Sequence, residues 1–407
     1  MSLFSKKEKP VFREIFLSDE NRKLRVILLC VFLGIGVVAI AAGLMDFLSV
    51  DPGWQEVEVI ADGVNCSKDF TFQYYFTDSG ASATVVQKDL ISMYSDAAEK
   101  AYWLFTPDQE TQEYTNVYTI NHNMNTEIVV DPVLYDAFAL MEQYGSRNLY
   151  LGPVYRQYEN IFLSTDDGQA EYWDPDRDED SAQYVSQLAA FARDENAISL
   201  ELLGDNKVML KVSEAYRSFA EENEIENFID FGYLTNAFII DYLAQTLIAQ
   251  NLTEGYIVSA DGYTRNLDSA HTFSFNIFDR VEELVFSAAV MEYRGPVSMV
   301  FLKDFPTANS DVNYRGREDR FLHLFVDPAD GICRTSVENL VSYSYNKECA
   351  DVALAMLPSF VGSDFSVPED VFSVWCEDEL ICYNDTAVSF SELLKSEKMT
   401  YRAILKQ

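Results

Sequence analysis

Residues able to do chemistry are concentrated in four short stretches. The first, "IDFGYLTNAFIID" (229–241), puts Asp230 and Gly232 at the end of an apolar run, with a helical pattern under way a few residues later. Strand, tight turn and helix is an arrangement whose free backbone N–H groups can hold a phosphate. The second, "GYIVSADG" (255–262), ends another expected strand in a turn carrying Ser259 and Gly262. Two such turns at neighbouring strand ends can form one anion-binding lip. The third, "HLFVDPADG" (323–331), is an expected strand end carrying His323. The fourth, "ADVALAML" (350–357), opens a helix with Asp351. Each has a plainer alternative. Asp230 can cap the helix that follows it, Asp351 can be a first-turn acid, and His323 can be a buried, hydrogen-bonded histidine. His122 and His271 have no recognisable partners in sequence.

In this order and spacing the stretches resemble the FAD:protein FMN transferases, the ApbE family. That family's pattern runs roughly D-x-G-G-x-x-K-G-Y-x-x-D, a helix, an N-x-G-G strand end, H-I-x-D-P-x-T-G, a strand, and A-D-A-x-x-T. Asp230, Gly232 and Asp241 match the first element; Gly262 and Arg265 the second; Asp327, Pro328 and Gly331 the third; Ala350 and Asp351 the fourth. Upstream, Gly152 and Pro153 match a D-x-T-V-G-P-L turn. The resemblance covers about 70–362. It implies an α+β, ApbE-like ectodomain and a Mg²⁺-dependent transfer of FMN from FAD to a Thr or Ser of a target protein. His323 would then be the catalytic base. Asp230, Gly232, Thr235, Ser259 and Gly262 would bind the flavin cofactor, and Asp351 with Thr235 the metal. The implied partner is an extracytoplasmic redox or flavinylated protein.

Departures from the pattern fall on that chemistry. Tyr233 stands for the second Gly of the first turn, Asn236 for its Lys, Ser259 for the Asn of the second strand and Asp261 for one of its glycines. Ala355 replaces the metal-site Thr, and Asn148 and Tyr150 replace the upstream Asp and Thr. His323 sits one residue before the family's position, which is Leu324 here. Along a strand, one residue turns a side chain to the other face. Three readings follow: an active transferase, a catalytically inactive binding or assembly ectodomain of the same fold, or a flavoprotein that binds FAD without transferring it, which Tyr233 and Asp261 at the phosphate turns disfavour.

The elements that must position these residues read as follows. Residues 70–88 suggest two strands about a Ser/Gly turn, and 89–105 a helix started by Asp89. Short strands and turns are expected over 116–130. A helix is expected over 131–145, with Asp131 before Pro132 at its start and Gly145 at its end. The acidic stretch 164–180 reads as solvated loop or helix start, its spacing fitting no calcium loop. Helices are expected at 181–194 and 213–222, with a hairpin at 198–213 turning at "GDNK". A strand is expected to end at Asp230, followed by a helix to about Gln250. Strands follow at 255–262, 271–302, 320–327 and 336–345, a helix at 347–362 and a hairpin at 371–390.

With 407 residues, 48% of them hydrophobic, the chain can bury a large core. Its net charge is −36; residues 1–25 carry +3, leaving about −39 elsewhere. Such a surface repels nucleic acid. Residues 26–45, "VILLCVFLGIGVVAIAAGLM", hold no charge. Twenty residues rising 1.5 Å each span about 30 Å, a bilayer core. Basic residues before and acids after orient the expected plasma-membrane span, taken as 26–48, with 1–25 cytoplasmic. Residues 49–69 then read as a juxtamembrane linker and 70–407 as the extracytoplasmic domain. Six cysteines without a C-x-x-C point to one or two structural bridges or buried thiols, Cys376–Cys382 across a hairpin among the possibilities.

Overall fold

The computed structural model describes residues 27, 30–37, 51–59, 69–78, 80–282, 284–308, 311–318, 320–396 and 398–406. Residues 27 and 30–37 are helical and almost all exposed. The rest of the expected span, and the basic segment before it, lie outside the described residues. Among the described residues no helix is long and apolar enough to cross a membrane.

In chain order, β1 (Gly53–Glu56) and β2 (Phe70–Phe76) precede α1 (Ala81–Phe105), α2 (Val117–Asn121), β3 (Ile128–Val129), α3 (Pro132–Gln143), α4 (Gly152–Leu163), α5 (Asp167–Trp173) and α6 (Glu179–Arg193). The hairpin β4 (Ile198–Gly204) and β5 (Lys207–Val212) leads to α7 (Glu214–Glu222) and α8 (Thr235–Ala249). Then come β6 (Gly255–Ser259), β7 (Tyr263–Asn266), β8 (Thr272–Val281), β9 (Leu284–Arg294), β10 (Val297–Lys303), β11 (Arg315–Gly316), β12 (Phe321–Leu322) and β13 (Asn339–Ser344). After α9 (Cys349–Val361) the chain closes with β14 (Phe372–Glu377), β15 (Leu380–Tyr383), β16 (Ser389–Ser391) and β17 (Arg402–Leu405).

A nine-stranded sheet ordered β1-β2-β6-β7-β10-β13-β14-β15-β17 carries the fold, antiparallel throughout except between β15 and β17. The mixed α+β class expected from sequence is the one observed. Strand β10 is buried at every position. Its Val300 and Leu302 join one core with α1, α8 and α9, while Val297, Met299 and Phe301 join a second core with the β8–β9 ribbon. That alternation follows from the two-residue repeat of a strand covered on both faces.

Several local expectations change. Residues 81–88 are helix, not strand: Ala83 and Val86 continue the apolar face of Leu90 and Tyr94 one turn earlier. Within 116–130 the chain forms α2, started by Asn116, whose side chain accepts from the Thr119 N–H at 2.9 Å. The segment before Asp230 pairs with no strand. The buried Asn121 side chain takes the partner strand's role, donating to the Ile229 carbonyl (2.9 Å) and accepting from the N–H groups of Phe228 (3.0 Å) and Ile229 (2.9 Å). Of 320–327, only Phe321–Leu322 is strand, with a single bridge from Val326 to Cys333. The expected linker 49–69 contributes β1 to the sheet.

The acidic stretch 164–180 is structural. Asp166 and Asp178 cap α5 and α6, Asp174 pairs with Arg317, and Asp176 binds both Arg317 and Arg320. Cys376 and Cys382 are both free. Cys376 faces Ile381, and Cys382 faces Trp375, so the two thiols project from opposite sides of the hairpin. Cys66 lies outside the described residues.

Candidate functional site

Asp230 sits on the loop ahead of a 3₁₀ turn that Gly232 opens (Gly232–Leu234) and that runs directly into α8. The Asp230 carboxylate accepts from the Gly232 N–H at 2.7 Å, closing a turn within the loop. Burial raises Asp230 to about 7, with Glu159 and Asp108 adding to the rise and the Gly232 N–H and Arg156 opposing it. Gly232 has φ +55°, and a Cβ there would meet the Tyr155 ring at 2.5–2.8 Å. Only glycine fits, and what it accommodates is an aromatic ring.

Tyr233 is buried, its ring against Phe325 (4.9 Å between centroids) and Tyr155 (6.1 Å). Its hydroxyl accepts from the Asn148 amide at 3.1 Å. Its carbonyl accepts from the Tyr263 hydroxyl at 2.7 Å. Burial pushes the phenols of Tyr155, Tyr233 and Tyr263 upward, so they stay neutral.

The second turn faces the first. Asn236, on the first turn of α8, donates to both carboxylate oxygens of Asp261 at 2.9 and 2.8 Å. Ser259 donates to Asp261 at 3.2 Å and accepts from the Asp261 N–H at 3.2 Å. Gly262, at φ +99°, lies where a Cβ would strike the Phe301 carbonyl at 2.6 Å. Thus Asp230, Gly232, Thr235, Ser259 and Gly262 share one neighbourhood, as two facing turns. The residues that depart from the sequence pattern there bond to each other: Asn148 to Tyr233, and Asn236 to Asp261.

His323 is buried behind this neighbourhood, its ring 5.4 Å from Phe325. Its Nδ1 accepts from the Phe325 N–H at 3.2 Å and lies 3.3 Å from the Cys333 sulfur. An Nδ1 that accepts leaves the proton on Nε2. Burial, helped by Arg320, lowers His323 to about 3, and burial pushes the Cys333 thiol up to about 12. A base this weak is poorly matched to proton abstraction near neutral pH.

Asp351 lies on the half-exposed side of α9 and accepts from the Tyr144 hydroxyl at 3.2 Å. The more constrained acid is Asp241. It is 4% exposed, accepts from the Cys349 and Ala350 N–H groups (2.9 and 2.8 Å), and lies 3.5 Å from the Arg265 guanidinium. It caps α9 from a neighbouring helix, so two matched pattern residues, Asp241 and Arg265, meet as a structural pair. Among the described residues no three His, Cys, Asp or Glu side chains gather into a group able to hold a metal ion. Ala355 brings no oxygen to Asp351, and Asp261 puts a carboxylate into the lip a phosphate would need. The residues present do not fit a flavin pyrophosphate with its cation.

Three clefts of about 960, 880 and 980 Å³ open on the described surface, and none is lined by any of the seven residues singled out from sequence. Sequence reasoning missed Tyr155, Asn121 and Tyr263. Tyr155, three residues after Gly152, carries no local signal that it will fill the space over Gly232.

No protein-family model matches the chain, and no curated protein matches it. Solved structures do. An ApbE protein from Thermotoga maritima superposes with a TM-score of 0.51 at 12% identity, covering 83% of this chain and 97% of its own. The flavin transferase ApbE from Vibrio cholerae gives 0.50 at 11%, covering 84% and 97%. At such identity the likeness is one of fold. The chain has an ApbE-like fold, as its motif order implied.

Proposed function

We propose that this protein is a membrane-anchored, extracytoplasmic ApbE-like domain that no longer transfers FMN and instead serves as a binding or assembly ectodomain. One observation carries the reading. The positions that would cradle a dinucleotide's phosphates are joined to one another, Asn148 to Tyr233 and Asn236 to both oxygens of Asp261. A site that had merely lost its ligands would leave its polar groups without partners. Here the substitutions are reciprocal: the Asn148–Tyr233 pair is buried, with Tyr155 and Phe325 against the Tyr233 ring, and the solvent-exposed Asp261 is held on both carboxylate oxygens by Asn236. The neutral, enclosed His323 agrees with it. The anchor and outward orientation are supported by the uncharged run 26–45 and its basic leading flank. An extracytoplasmic redox or flavinylated protein is the partner class the fold suggests.

The test is direct. Purified protein is mixed with FAD and Mg²⁺, and flavin binding and AMP release are followed with and without a Thr-bearing acceptor. Neither is expected. Saturable FAD binding with Mg²⁺-dependent AMP release would restore the transferase reading and overturn this one.

A further inference from the structure

Strand β1 starts at Gly53, five residues beyond the end of the expected span at 48. Five residues reach at most about 17 Å when extended. If the span is inserted, the first edge of the nine-stranded sheet is therefore held within that distance of the bilayer surface.

That edge is aromatic on its outer side. Trp54 lies opposite Tyr75 in the β1–β2 register, and Tyr256 lies opposite Gln73, one pleat along on the same side. His271 and Phe273, at the start of β8, lean onto this surface. The Trp54 ring has Tyr75, Tyr256 and His271 each at 5.3 Å and Phe273 at 5.7 Å. All five side chains are half-buried, whereas Phe72 and Tyr74 on the other side are enclosed by the helical core. Two exposed acids adjoin these rings: Glu254, just before β6, and Glu56, which lies on the same side as Trp54 and accepts from the Gln73 amide at 3.3 Å. Aromatic rings with polar edges concentrate at the boundary between headgroups and acyl chains. The net negative charge disfavours an anionic lipid surface, which leaves a zwitterionic one.

We infer that the Trp54–Tyr75–Tyr256–Phe273 face rests on the interface of the bilayer that holds the anchor, fixing the domain's orientation and turning the opposite edge of the sheet towards solvent and partners. This rests on the anchor proposed above.

The test uses the full chain in phosphatidylcholine vesicles with brominated acyl chains. The protein has four tryptophans, none within the span, so emission reports the domain alone. Trp375 on β14 is six strands from β1, roughly 29 Å away at the usual strand spacing. Brominated lipid should quench a component of the wild-type emission that Trp54→Phe removes and Trp375→Phe leaves in place. Flotation and protease protection report insertion separately. Inserted protein with no quenched component, or with one that Trp54→Phe does not change, overturns the docking while leaving the anchor intact. Protein that fails to float overturns the anchor and the docking together.

Discussion

Replacing Asp230 by Asn tests whether the turn at 230–232 is built for packing or for ligands. A carboxyl raised from 3.8 to about 7 holds a proton in the folded chain that the unfolded chain has already released. Its stabilising contribution is therefore complete below about pH 3.8 and is lost progressively as pH rises to 7. At about 1.4 kcal/mol per pH unit, a shift of roughly three units corresponds to about 4 kcal/mol as an upper bound. Asn keeps an oxygen to accept from the Gly232 N–H and carries no charge at any pH. Urea unfolding of the full chain in detergent, at pH 5 and pH 8, gives the comparison. Asp241 and Asp304 are also raised to about 7, but both proteins share them, so they cancel in the difference. The expected result is a gain of about 1–2 kcal/mol for Asp230→Asn already at pH 5, growing to about 3–4 kcal/mol at pH 8. A variant equally or less stable than wild type at pH 8 would mean that the ionised carboxylate is favourably held. The packing account of this turn would then fail.

Two further perturbations probe the same region. Gly232→Ala combines a left-handed backbone with a Cβ inside 2.8 Å of the Tyr155 ring, so a loss of about 2–5 kcal/mol is expected in the same urea assay. A loss under 1 kcal/mol would show that Tyr155 moves aside freely. Asp241→Ala removes the cap of α9 and the nearer of two carboxylates at the buried Arg265, which keeps Glu348 at 3.9 Å and the Ser298 hydroxyl; the expected cost is about 2–4 kcal/mol, against about 1 kcal/mol for Asp351→Ala, which loses one hydrogen bond to Tyr144. The reverse ranking would make Asp351 the acid on which the region depends.

Much of the chain was legible from local pattern. The helix at 132–143 announced itself through Asp131, Pro132 and Gly145, and the β4–β5 hairpin through alternation around "GDNK". Both signals come from neighbouring residues whose capping or turn geometry is the same in any fold. Residues 81–88 were misread because small and β-branched residues fit a strand locally, while their helical face is rewarded only once it packs on the sheet. The segment before Asp230 looked like a strand because its apolar residues are buried, yet its backbone is satisfied by Asn121, more than 100 residues away.

The candidate site divides along the same line. Motif order by itself determined the fold family to expect and the positions at which a flavin transferase would do its work. Its departures could be read only one at a time, as a missing Lys, a missing Gly or an added acid. Tertiary structure decided that they are paired, Asn148 with Tyr233 across 85 positions and Asn236 with Asp261 across 25. It also decided that His323 is enclosed in the core, 3.3 Å from the Cys333 sulfur. The reason is physical: capping and periodicity are short-range and survive in sequence, whereas the complementarity of two side chains exists only where the folded chain brings them within hydrogen-bonding distance.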